Sequence, residues 1–127
     1  MQEHHLFEYA VIRVVPRVER EEFLNVGVIL YCAKKKFIKA LVHLGMEKLQ
    51  AFSPELDIEE LKDHLEAFCR ISAGGKEGGP IGQLDAASRF RWLTATRSTI
   101  VQASKVHPGL CIDPEETLDR LFKQLVL

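Results

Sequence analysis

A chain of 127 residues with 46% hydrophobic side chains is near the commonest size of one folding unit, so one domain over residues 1–127 with a substantial core is expected. Seventeen lysines and arginines against eighteen acids leave a formal net charge of -1, which argues against a general nucleic-acid coat protein. No apolar run approaches the ~20 residues of a membrane helix. Glu3, His4, His5 and Glu8 interrupt any leader-like segment, and Cys32, Cys69 and Cys111 are odd in number with no CxxC pair. A reduced, cytoplasmic setting is therefore expected.

Tyr9–Val15 (YAVIRVV) is rich in β-branched residues and stops at Pro16, which predicts a first strand. Asn25–Cys32 and Phe37–Leu44 predict two more, joined by the short polar connection Ala33–Lys36. Both faces of the first two strands are apolar, as in strands covered on both sides of a sheet. The period then changes from two to about 3.6. Met46, Leu49 and Phe52 predict a short helix ending at Ser53-Pro54. Asp57, with Glu60 three positions on, opens a longer one carrying Ile58, Leu61, Leu65 and Phe68 on one stripe. Gly74-Gly75 ends that helix, and Leu84–Leu93 predicts a third. Thr99–Val106 predicts a fourth strand around Ile100 and Val101. Asp113, Pro114 and Glu116 open a final helix with Leu118, Leu121, Phe122 and Leu125 facing the core. Strands first and helices after them indicate an α+β fold: an antiparallel sheet of three to four strands in the order β-β-β-α-α-α-β-α, with helices packed on it.

Candidate chemistry concentrates in one place. From Ala86 to Ile112 the chain runs 27 residues without an acid, yet holds Arg89, Arg91, Arg97, Lys105 and His107. Arg89, Arg91, Trp92, Arg97, Ser98, Gln102 and His107 form the candidate binding set. Guanidinium forks match phosphate and carboxylate, hydroxyls and an amide add donors, and the indole offers a stacking surface. The competing reading pairs these arginines with the acidic helix Glu55, Asp57, Glu59, Glu60, Asp63 and Glu66. Arg13 breaks an apolar strand and needs a partner, for which Glu19, Glu21 and Glu22 are candidates.

The loop GGKEGGPIG (Gly74–Gly82) has neither the P-loop lysine-hydroxyl pair nor GxGxxG after a strand, so it reads as a connection. No His or Cys spacing suits zinc, and no cofactor is expected. Cys111, just ahead of the final helix, is the one thiol that a helix N-terminus would activate. His107 is the one candidate acid or base, and no catalytic set forms around it by spacing.

Three blocks carry a resemblance: EYAVIRVVPRVEREEFLNVGVILYC, GGPIG with RFRWLTATRSTIVQ, and VHPGLCIDPEETLDRLFKQLV. They resemble a bacterial family of unknown function, the domain of unknown function numbered three thousand and thirty-seven, over Glu8 to Val126. The resemblance implies a small bacterial cytoplasmic protein and brings no catalytic residues with it. Some members are encoded beside HipA-like kinases, so it also implies a protein partner of that kind. The leading expectation is a non-catalytic protein-interaction or accessory module, with a homo-oligomer as one form of it. The alternative is an anion-binding domain for nucleotide or nucleic acid using Arg89–His107. A small hydrolase or transferase using His107 is the third reading.

Overall fold

The computed structural model describes residues 3–95 and 99–127. The fold is α+β, built on one antiparallel sheet. Its strands are β1 (His5–Val14), β2 (Leu24–Cys32), β3 (Phe37–Val42), β4 (Val101–Ala103) and β5 (His107–Cys111). Its helices are α1 (Met46–Phe52), α2 (Ile58–Ala73), α3 (Gly79–Gly82), α4 (Ala86–Thr94) and α5 (Pro114–Leu125). The sheet runs β3-β2-β1-β4, and β5 pairs with β1 on the edge that β4 also uses.

The three to four strands expected from sequence are therefore five among the described residues, and Ser104 explains the difference. Its backbone N–H donates to Val11 O, while its hydroxyl accepts from Val11 N–H and donates to Lys105 O. The side chain thus takes a place that backbone would fill in a regular ladder. Beyond it, Tyr9 pairs with His107. From Val11 to Tyr9 is two steps and from Ser104 to His107 is three, so the outer chain carries one extra residue, as in a β-bulge. The bulge divides one edge into β4 and β5. His107, expected at the end of a strand, begins one instead.

Local signals set the helix ends. Asp57 Oδ1 accepts from Glu60 N–H at 3.1 Å, and Asp85 Oδ1 accepts from Ser88 N–H at 2.7 Å. That second bond holds the Asp85 carboxyl below its ordinary range. Asp113 caps α5 through Glu115 N–H at 3.0 Å, and Pro114 occupies the first turn. Gly74 closes α2 with φ 83°, a left-handed conformation that favours glycine.

The alternation of β1 divides the core between two faces. Ala10, Ile12 and Val14 join Val26, Ile29, Leu61, Leu65, Phe90 and Leu93 beneath α2 and α4. Phe7 joins Val28, Leu30, Cys32, Cys111 and Leu118 beneath α5. Gly27 is required where β2 meets β3, because a Cβ there would lie 2.5 Å from Leu41 O.

Candidate functional site

Among the described residues of the basic stretch, Arg89, Arg91, Trp92, Gln102 and His107 do not converge. Arg89 lies on α4, and its Nη1 donates to Ser72 O at 2.6 Å and Ile71 O at 3.2 Å, while its Nε donates to Leu84 O at 3.0 Å. Two of those carbonyls lie at the end of α2, where the helix dipole also favours a cation, and Ile71 O is shared with the Gly74 N–H; the third lies at the approach to α4. One turn of the guanidinium plane thus ties α2 to α4. Arg91, two residues on, points elsewhere and meets Glu8 of β1 at 3.9 Å.

Trp92 lines a concavity of 240 Å³ with His64, Phe68, Ile71, Thr99 and Val101. Gln102 follows Val101 on β4, so strand alternation turns it to the opposite side of the sheet. There its Nε2 donates to Thr99 O at 2.9 Å. His107 packs on its register partner Tyr9 with ring centroids 5.3 Å apart. Arg97 and Ser98 lie outside the described residues.

The acidic helix has its own partners. Glu59 pairs with Lys62, Glu60 with His64 and Glu66 with Arg70 along α2, while Glu55 pairs with Arg17. Neither Arg89 nor Arg91 pairs with it among the described residues. For the two described arginines, Arg89 and Arg91, the acidic helix is therefore not the internal match. Arg13 also departs from expectation: Glu22 pairs with Arg20, and the Arg13 guanidinium stacks over the Phe23 ring at 4.0 Å. Among the described residues it forms no ion pair.

Two of the thiols, Cys69 and Cys111, are held in the protonated form by burial. Burial pushes the Cys111 thiol up from its ordinary range, and the neighbouring Cys32 thiol adds to the shift. The expected activation by the start of α5 is overridden, because desolvation disfavours the thiolate. Burial likewise raises the Cys69 thiol. No group of three His, Cys, Asp or Glu side chains could hold a metal ion among the described residues. No helix among them is long and apolar enough to cross a membrane.

One surface feature escaped the sequence pattern. Leu6 of β1 and Leu110 of β5 are cross-strand partners, and they remain 60% and 65% exposed. They share the face of Ala10 and Ile12, but the cover provided by α4 ends before reaching them. Phe90 of α4 stacks on Tyr31 of β2 at 5.4 Å, and Arg91 reaches Glu8; beyond that line the sheet is bare. Ile112, also exposed, extends the apolar area past the end of β5. Among the described residues β5 pairs with β1 alone, so its outer edge has no strand partner there. The sequence carried a faint signal here, an alternation of Leu110 and Ile112 around buried Cys111.

Neither a curated protein nor a solved structure matches the chain. A family model matches it from residue 9 to residue 126, which takes in β2 to β5, helices α1 to α5 and the second half of β1. The chain belongs to the family described as Protein of unknown function (DUF3037).

Proposed function

We propose that this protein is an interaction module that docks an extended segment of a partner protein along β5. The observation that carries the reading is the bare Leu6–Leu110 pair beside an unpaired strand edge. An added strand would gain backbone hydrogen bonds from β5 and bury apolar side chains on the two leucines. Fully burying a leucine is worth roughly 1.5–3 kcal/mol, so the pair is enough to anchor a short segment. Pro108 lacks an N–H and restricts productive pairing to the Gly109–Ile112 side of the strand. The Glu8–Arg91 pair forms a polar rim on the same face.

Anion binding by the basic stretch has less support. Arg89 is committed to three carbonyls, and Trp92 and Gln102 face opposite sides of the sheet. A reaction centred on His107 has less support, since the side-chain contact shown for His107 among the described residues is the Tyr9 ring.

A HipA-like kinase, the partner implied by family resemblance, is the first to be tested by co-expression and size-exclusion chromatography. Leu110→Glu is expected to weaken the complex at least tenfold, about 1.4 kcal/mol. The free protein should melt with a stability change within about 0.5 kcal/mol, as for an exposed site. The same chromatography at rising concentration distinguishes a kinase complex from self-association. A complex of either kind that forms unchanged in Leu6→Glu/Leu110→Glu would refute the assignment of this edge.

A further inference from the structure

The opposite face of the sheet carries a different feature. Arg13 of β1 and Gln102 of β4 are register partners, so their side chains stand together on the face that α5 covers elsewhere. At the other end of that face α5 packs over Phe7, Val28 and Leu30. Its last turn reaches as far as Asn25, whose Nδ2 donates to Leu125 O. Across the next strand the cover stops. What remains is a concavity of 390 Å³ lined by Arg13, Val15, Glu21, Phe23, Gln102 and Ala103.

Arg13 is unusual within it. The guanidinium carbon lies 4.0 Å from the Phe23 ring centroid, so one face of the group is desolvated by the aromatic ring. Its Nε is buried and has no hydrogen-bond partner. Glu21 lines the same space yet lies outside ion-pair distance, and no other carboxylate pairs with Arg13 among the described residues. A partly desolvated charge without a counter-charge is costly, and structures keep such a group where something compensates it.

We infer that this concavity binds a carboxylate attached to an apolar body. The Arg13 fork matches a carboxylate in a two-bond geometry. The second N–H of the Gln102 amide, beyond the one given to Thr99 O, is left to donate to the same oxyanion. Phe23 and Val15 supply apolar walls, and the volume lies within the range of small-ligand pockets. Glu21 at the rim sets the charge selectivity. With Arg13 and Glu21 both lining the space, a carboxylate adds a single negative charge and a phosphate dianion adds two, so the monoanion is the favoured guest. The ligand is either a small free acid or the terminal carboxylate of a peptide, and both present the same group to Arg13.

The test is a titration of the isotope-labelled protein followed by amide chemical shifts. The probes are benzoate, its neutral counterpart benzamide, inorganic phosphate, and an acetylated Ala-Ala-Phe peptide with a free or an amidated C-terminus. Benzoate or the free-acid peptide is expected to saturate shifts at Arg13, Phe23 and Gln102, while benzamide, the amidated peptide and phosphate do not. Tighter binding by benzoate identifies a small acid, and tighter binding by the peptide identifies a chain terminus. Arg13→Gln should weaken binding roughly tenfold or more, as loss of a charge-assisted pair requires. Gln102→Ala, at an exposed amide, gives a second reading in case Arg13→Gln does not fold. Equal shifts with benzoate and benzamide would overturn the inference. So would benzoate affinity unchanged in both variants, phosphate binding tighter than benzoate, or no saturation by any acid up to its solubility limit.

Discussion

Arg89 shows how one side chain takes on the work of several. Its three hydrogen bonds go to backbone carbonyls at the end of α2 and at the approach to α4. A planar fork serves all three from one position, which an ammonium cannot do. Arg89→Ala is expected to destabilise the protein by about 2–3 kcal/mol, because it strands charged-group hydrogen bonds at a helix end. Arg89→Lys should recover less than half of that loss, measured by urea unfolding at neutral pH. The buried thiols give a prediction of pH dependence. Cys69 and Cys111 hold their protons more tightly when folded than when unfolded, so the unfolded chain binds fewer protons above the ordinary thiol range. Stability is fully present below about pH 8.5 and falls as pH rises beyond it. Cys69→Ala/Cys111→Ala should flatten that alkaline slope in unfolding experiments at stepped pH, and an unchanged slope would assign it to other groups.

At the scale of elements, the edge strand depends on Ser104. The hydroxyl accepts from Val11 N–H within the sheet, so Ser104→Ala leaves a buried donor unpaired. A loss of about 1–3 kcal/mol is expected in thermal or urea unfolding. Faster amide exchange at Val11 would localise the damage, and unaltered exchange there would contradict this role for the hydroxyl. The same residue shows why α2, α4 and α5 were legible in sequence and this edge was not, while the short α3 lies in Gly74–Gly82, which reads in sequence as a connection. Asp57, Asp85 and Asp113 act on N–H groups two or three residues away, so their effect is written in adjacent letters. Ser104 acts on Val11, which is 93 residues away. Pro108-Gly109 has the composition of a turn, and only pairing with β1 makes an edge strand of it. The partners of Arg89 were hidden for a similar reason. A sequence shows its charge but not the carbonyls that meet it, and carboxylates of α2 were the more obvious candidates.

For the molecule as a whole, the sheet has two differently equipped faces. Bare leucines beside an unpaired edge occupy one end of the first, and a solitary cation above an aromatic ring occupies the far end of the second. Composition cannot distinguish them, because a net charge of -1 averages over both. The strand alternation that places Arg13 opposite Gln102 is readable in each strand separately. The register that brings them together, and the extent of helical cover around them, are not.

The pairing of both β4 and β5 with β1 also bears on how the chain reaches this state. His5 meets Cys111 and Val14 meets Val101, so the outer edge of β1 is completed by residues made about a hundred positions later. The β1–β2–β3 meander and its two hairpin connections can form early, because their contacts are local. Until the later residues arrive, Tyr9–Val14 presents an open, strongly apolar strand edge to its surroundings. The slow, exposed step of folding is therefore the closure of that edge, and the helices between β3 and β4 form the long loop whose ends must be brought together to achieve it.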